Sequence, residues 1–233
     1  MKNARDLPSP TQWRDNPFDE DLVDRDYIFS IDGLGTFPKH FCKISYLLSR
    51  PFIRKFRTAI DIGCRLGEFT CQMQRDFRRI YAFDPNLWRP FRYNVDLNKV
   101  MHYRCALGDE VCDIEMFGGT HSSSSGGDFK TVPVYTLDMF DFKDVDYIKI
   151  DVEGFEKKVL LGAQRTLDRY NPLIVIEQNH VVLEGERQYA AKEFLESIGY
   201  RQVAVDDRGW DFVMVRIETV EQCACSRRSA GSE

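Results

Sequence analysis

Nowhere in its 233 residues does the chain carry an apolar run long enough to cross a bilayer, for which about 20 residues are needed. Met1 to Pro10 has no apolar stretch of the kind a secretory leader carries. We therefore expect no membrane partner, no signal peptide and a cytoplasmic protein. Positive charge is also in short supply: 32 Lys and Arg stand against 37 Asp and Glu, a net charge of −5. A protein that works on a polyanion shows a basic balance or a basic stripe. The clusters Arg50 to Arg57 and Arg75 to Arg79 read instead as solvated helix faces or turns, so the balance argues against a nucleic-acid partner. The seven cysteines are odd in number, and only Cys223 and Cys225 lie close together. With no second pair and no nearby histidines these make a poor metal signal, and the set reads as reduced thiols. There is no internal repeat, and low complexity is confined to Ser122–Ser125. No G-x-G-x-x-G follows a strand. Ile31 to Gly35 has two glycines but no convincing strand before it and reads as a turn.

What is present is a regular alternation. At 43% hydrophobic the chain can bury one substantial core without needing a second domain. Residues 1–57 read as an N-terminal arm and a leading helix at Phe41 to Phe56, 58–217 as the main domain, and 218–233 as a polar, disordered tail. Strands are expected at Thr58–Ile62, Arg79–Phe83, Met101–Ala106, Tyr147–Val152 and Leu173–Glu177. Helices are expected between them at Glu68–Phe77, Arg89–Leu97 and Phe155–Arg169. Strands alternating with helices predict an α/β fold with a doubly wound, mostly parallel sheet. Val111–Phe117 and Thr131–Tyr135 read as a short hairpin or a side crossover. Helix Gln188–Ile198, strand Arg201–Val205, the turn at Asp206–Gly209 and strand Asp211–Ile217 close the fold with a C-terminal antiparallel hairpin.

The first strand runs straight into Asp61-Ile62-Gly63-Cys64-Arg65-Leu66-Gly67, a D-x-G-x-x-x-G pattern. The second strand ends at Asp84-Pro85, 23 residues beyond Asp61, which is the length of one βαβ unit. A carboxylate ahead of the glycine turn suits a cationic, amine-bearing ligand better than a pyrophosphate. S-adenosylmethionine (SAM), with a sulfonium, an ammonium, a ribose and no phosphate, fits that description. A carboxylate at Asp84 can take both ribose hydroxyls. In open α/β sheets ligands bind at the carboxyl ends of the strands. There the chain places Asp61, Asp84, Asp151, Glu153, Glu177, Asn179 and His180. Helix capping is a competing use for some of these, Asp61, Asp151 and Glu153 above all.

Asp61 to Phe69, Phe83-Asp84-Pro85, Ala106 to Asp109 and the block Ile148-Lys149-Ile150-Asp151-Val152-Glu153-Gly154-Phe155-Glu156 stand in order. With them, over roughly residues 58–180, the chain resembles the FkbM family of SAM-dependent methyltransferases. Tyr135 to Asp138, Ile176-Glu177 and the serines at 122–125 add to the resemblance. Cys64 and Arg65 depart from the family's smaller or amide residues, and the first helix is short. The resemblance implies a class I, Rossmann-like methyltransferase that methylates a hydroxyl oxygen on a small-molecule or carbohydrate acceptor. By position, Asp61, Gly63 and Gly67 would shape the methionine end of the SAM site, with Phe69 and Pro85 among the cofactor-binding residues. Asp84 would hold the ribose hydroxyls, and Cys105 and Ala106 would lie along the adenine with Asn94 nearby. Asp151 would face the sulfonium and the acceptor.

Methyl transfer from a sulfonium needs alignment and a base for the hydroxyl. The candidate bases are Asp151, Glu177 and His180, with Asp151 favoured and Glu177 supporting. A divalent metal on Asp151, Glu177 and Asn179 is an alternative ranked below metal-free transfer. The glycine- and serine-rich loop 118–128 reads as a surface loop or a contact for the acceptor. A ribose 2′-O methyltransferase using Lys149, which shares a strand face with Asp151, is the second functional reading. A nicotinamide-dependent oxidoreductase is opposed by the missing third glycine, and a non-catalytic SAM-fold protein by the intact Asp61, Asp84 and Asp151.

Overall fold

The computed structural model describes residues 6–12, 41–88, 90–117, 129–179 and 187–217. Most of the N-terminal arm, the Ser122–Ser125 loop, His180 and the tail with Cys223 and Cys225 lie outside the described residues. The elements, in chain order, are α1 (Phe41–Ser49), β1 (Thr58–Ile62), α2 (Glu68–Met73), β2 (Arg79–Phe83), α3 (Phe91–Asn94), β3 (Val100–Tyr103), β4 (Ala106–Leu107), β5 (Cys112–Phe117), β6 (Phe129–Tyr135), β7 (Val145–Ile150), α4 (Glu156–Leu161), α5 (Gln164–Tyr170), β8 (Leu173–Glu177), α6 (Ala190–Ser197), β9 (Tyr200–Val205) and β10 (Asp211–Arg216).

Seven strands form one sheet in the order β3-β2-β1-β7-β8-β10-β9. The first five are parallel, and β10 runs antiparallel to both β8 and β9. β1 is buried at every position, as a strand covered on both faces must be. Side chains alternate across it. Ile60 and Ile62 join Tyr81, Phe83, Ile148, Ile150, Ile174, Ile176 and Leu160 on one face. Ala59 joins Tyr147, Val175, Phe69, Met73 and Phe77 on the other. Asp61 and Lys149 share the parity of Ala59 and Tyr147, so they come to lie under α2. The chain winds outward from β1 to β3, then returns to the other side of β1 with β7. The order therefore switches between β1 and β7, where a crevice opens at the strand ends.

Two of the departures from the sequence reading have physical causes. Strand β3 stops at Tyr103. Ala106 and Leu107 leave it to pair in parallel with Val134 and Tyr135 of β6, in a second sheet ordered β4-β6-β5. The hairpin expected from Val111 and Thr131 is that sheet's β5 and β6. The helix expected over Phe155–Arg169 is two, because Asp138, from a distant segment, caps the second. Its carboxylate accepts the N–H groups of Arg165 at 2.8 Å and Thr166 at 2.9 Å and the Thr166 hydroxyl at 2.7 Å. Helix α1 packs on α2 and on the C-terminal strands. There the Ser45 hydroxyl donates to Asp211, and Ser49 Oγ meets Tyr147 OH at 2.9 Å.

Between α4 and α5, Gly162 lies so near β4 that a Cβ there would stand 1.9 Å from the Gly108 carbonyl oxygen. Gly162→Ala is expected to lower the unfolding free energy by about 3 kcal/mol, because backbone rather than a flexible side chain must give way. A urea denaturation midpoint checks it.

Candidate active site

The strand-to-helix turn after β1 is held from several sides. The N–H groups of Gly63 and Cys64 both donate to the Phe83 carbonyl, at 2.9 and 3.0 Å, clamping the turn to the end of β2. Gly63 and Arg65 are both left-handed, at φ 82° and 44°. A Cβ on Gly63 would stand 1.8 Å from the Asp151 carbonyl oxygen, so glycine is required there both for conformation and for space. Asn94 Nδ2 donates to the Leu66 carbonyl at 2.7 Å, and Glu68 accepts the Leu66 N–H at 3.1 Å. Gly67, at φ 86°, opens α2.

Asp84 closes over this turn. Its Oδ2 accepts the Arg65 N–H at 3.0 Å and its Oδ1 the Asn86 N–H at 2.8 Å, with the Trp88 indole as a further donor. Burial nevertheless raises its carboxyl above the usual range, the N–H groups offsetting only part of that cost. Pro85 offers its carbonyl to Lys130 Nζ at 3.1 Å.

Beneath the turn lies a buried charge cluster. Asp61 has no exposed surface and accepts a hydrogen bond from Thr70 Oγ1 at 2.5 Å. Among the described residues its Oδ1 has no hydrogen-bond partner, and Lys149 Nζ stands 3.7 Å away. That same ammonium donates to the Gly63 carbonyl at 3.1 Å and lies 3.2 Å from Asp151 Oδ2. The Phe69 ring covers it, with the centroid 5.7 Å from Nζ.

Asp151 comes to the rim just after β7, its side chain 31% exposed. Its backbone N–H donates to Ile62 at 3.0 Å. Next to it Glu177 ends β8. Burial first, then the Asp151 charge and the hydrogen bond the two carboxyls share, push Glu177 up to about 9. Glu177 thus keeps its proton at neutral pH and donates it to Asp151. Burial opposes ionisation of Asp151, but the Lys149 ammonium and the Glu177 proton outweigh it and hold its carboxyl below the usual range. Asn179 Nδ2 donates to Glu177 Oε2 at 3.0 Å and to Glu153 Oε2 at 3.4 Å.

Carboxylate oxygens of Asp151, Glu153 and Glu177 can lie within 4.8 Å of one another. Asp151 and Glu177, two of the three groups named for a divalent metal, belong to this set, and Asn179 turns its amide Nδ2 toward Glu177. Glu153 and Gly154 are both left-handed, which lets Glu156 Oε1 accept the N–H groups of Val152 and Gly154 at 3.1 and 3.0 Å. The capping role in this block belongs to Glu156.

Of the residues expected to touch a ligand, Asp84, Gly63, Gly67, Pro85, Asp151 and Glu177 gather along the strand ends. Asp61, Phe69 and Asn94 support the turn from beneath or beside it and show almost no surface. Cys105 is fully buried where the chain crosses from β3 to β4, while Ala106 is partly exposed. The sequence reading missed Arg208. Its guanidinium pairs with Asp206 at 2.7 Å and Asp211 at 3.1 Å, and its charge reaches Asp151 and Glu177. The signal was the Asp206-Asp207-Arg208-Gly209 turn, which β10 brings back to the rim by pairing Asp211 with Glu177.

Residues 67–202 match the family model described as the Methyltransferase FkbM domain. Among solved structures, the chain is similar to a methyltransferase FkbM from Methylobacillus flagellatus KT. Identity is 18% and the TM-score 0.50, over 73% of this chain and 46% of that one. The present chain thus spans less than half the length of that protein. A precorrin 8W decarboxylase of Methanobacterium thermoautotrophicum matches over 84% of this chain and 100% of its own, at 16% identity and a TM-score of 0.48. A putative methyltransferase from Streptococcus mutans in complex with SAH matches over 74% and 94%, at 14% identity and a TM-score of 0.47. No curated protein matches the chain in sequence.

The Glu177 proton carries a stability signature. The unfolded chain releases it near the ordinary value of 4.5, the folded chain only near 9. Its stabilising effect is therefore complete below the unfolded value and is lost as pH rises through that window. Glu177→Gln, which keeps a donor toward Asp151, is expected to raise the melting temperature relative to the parent by an amount that grows from pH 5 to pH 9. Melting curves across that range check it.

Proposed function

The chain belongs to the FkbM methyltransferase family, and from that premise we propose that it transfers a methyl group from SAM to a hydroxyl oxygen of a small-molecule or sugar acceptor. The observation that carries this reading is the Asp151–Glu177 pair. It sets two hydrogen-bonded carboxyl groups side by side at the ends of β7 and β8, next to the glycine turn, with Lys149 Nζ 3.2 Å from Asp151.

The donor set suits SAM. Asp84 is a carboxylate with about four lone-pair sites, only some of which its N–H donors use, and that suits a vicinal diol. The backbone between Gly63 and Gly67 would form the floor of the site, with Asp61, Phe69 and Asn94 shaping it from behind. Asp151 and Glu153 present negative charge where a sulfonium and an ammonium would be held. When bound, SAM supplies an electrophilic methyl whose leaving group departs neutral, so no acid is required.

The chain's own task is then to orient the acceptor oxygen and remove its proton. Asp151 is the base: it is ionised, it reaches the surface, and Glu177 and Lys149 fix its rotamer. General-base assistance of this kind contributes roughly 10²–10⁴-fold. Glu177, protonated, donates to the Asp151 carboxylate, and Lys149 stands 3.2 Å from its Oδ2.

A reaction that uses lysine as the base, as in the ribose 2′-O reading, finds less support. Lys149 is 5% exposed, an ammonium between two carboxylates, and has no lone pair to accept a proton. A pyrophosphate would meet the carboxylates of Glu68 and Asp84 at the turn, which disfavours a nicotinamide cofactor.

Calorimetry is expected to give micromolar SAM binding, lost in Asp84→Ala, and none for NAD. NAD binding, or no SAM binding by the parent chain, would sink the reading. Once labelled SAM has identified an acceptor, Asp151→Asn is expected to lower kcat by roughly 10²–10⁴-fold, to weaken SAM binding and to leave SAH affinity little changed.

A further inference from the structure

Lys149 stands on β7 with Asp61 of β1 behind it and Asp151 in front. The Phe69 ring of α2 covers it, and Glu68, Cys64 and Asp84 lie within range of its charge. Asp151 is faced by Glu177 of β8, Asp211 of β10, Arg208 of the β9–β10 turn, and Glu156 from its own segment. Glu153 sits beside Glu177.

The distances within this group are uneven. A lysine that served only as counter-ion to the fully buried Asp61 would sit at hydrogen-bond distance from it. Instead the ammonium is 3.7 Å from Asp61, and closer to Asp151 at 3.2 Å and the Gly63 carbonyl at 3.1 Å. It is displaced toward the rim, and its two shorter contacts lie on different strands' ends. One belongs to the glycine turn, the other to the carboxylate assigned as base.

We propose that Lys149 is a positioning residue for methyl transfer, a buried ammonium that ties the Gly63 carbonyl of the cofactor turn to the Asp151 carboxylate and so fixes the two halves of the site against each other. This rests on the SAM-dependent reading above. Lys149 touches neither acceptor nor methyl group. It acts through Gly63, which sets the turn, and through Asp151, whose charge it sustains. Asp61 and Thr70 anchor it from behind. Without the ammonium, Asp61 and Asp151 would repel each other across a poorly solvated gap, and Asp151 would take up a proton more readily.

The test compares SAM, which carries a sulfonium, with S-adenosylhomocysteine (SAH), which does not. The ratio of their affinities reports whether Asp151 is charged, and it requires no acceptor. Both are titrated by calorimetry at about pH 7 and about pH 5.5, where the amino groups of both ligands stay protonated. Single removal of Lys149 would strand the buried Asp61 charge, so the variant is Asp61→Asn with Lys149→Met, and Asp61→Asn alone is the control.

The parent and the control are expected to hold a nearly constant SAM-to-SAH ratio between the two pH values. The double variant is expected to lose at least about fivefold of its preference for SAM at the lower pH. If the double variant does not fold, Lys149→Gln in the Asp61→Asn background keeps a donor for Gly63 without the charge, and the same loss is expected. A double variant whose ratio follows the parent at both pH values, whatever its melting temperature, overturns the proposal and leaves the cofactor reading intact. A parent chain that binds neither compound overturns the cofactor reading, and this proposal with it.

Discussion

β1 and β7 end against each other with no side chain between them, because Gly63 places only a hydrogen where any other residue would drive a Cβ into the Asp151 carbonyl. The Asp151 N–H can then reach Ile62, and the turn can fold back at once to give its own N–H groups to Phe83. Three strand ends are stitched together within a few residues. Asp84, at the third, is thereby brought onto the Arg65 N–H. If the approach of β1 and β7 were looser, the turn, the Asp84 carboxylate and the Asp151 carboxylate would lose their common frame. A site that aligns two reactants depends on such a frame, since small misplacements cost large factors in rate.

Charge burial at this junction has the character of a functional site. Isolated ions are expensive to bury, and replacing an ion pair with apolar groups is often neutral or stabilising. The chain nevertheless keeps Asp61, Lys149, Asp151 and Glu177 together at the switch point of the sheet. The two rim carboxyls are driven in opposite directions: Lys149 and a donated proton hold Asp151 ionised, while burial and the Asp151 charge keep Glu177 protonated. Two chemically similar groups are thus driven in opposite directions by their surroundings alone. Arg208, reached through the antiparallel return of β10, balances the same cluster from the far side.

Much of the architecture could be read along the chain. β1, β2 and β8 fall at Thr58–Ile62, Arg79–Phe83 and Leu173–Glu177, as their apolar runs and flanking turns indicate. Elements whose limits depend on distant partners were read less well. The long helix after Phe155 is broken by a cap from Asp138, and the strand after Met101 is cut short because Ala106 finds a partner in β6. Neither partner is visible in the local pattern. Within the site, Asn94 of α3 reaches the glycine turn from a distant segment, its Nδ2 donating to the Leu66 carbonyl at 2.7 Å.

The sequence by itself determined the βαβ order, the glycine turn and the carboxylates at the strand ends, because hydrophobic alternation and turn chemistry are local properties of the chain. Its period of two also put Lys149 and Asp151 on one face of their strand. Only the tertiary structure decided what that pairing meant. β1 and β7 are neighbours through the return of the chain across the sheet, and that return sets Asp61 behind Lys149 and Glu177 beside Asp151. Protonation states follow from burial and from charges on other strands, so which carboxyl keeps its proton was fixed by packing.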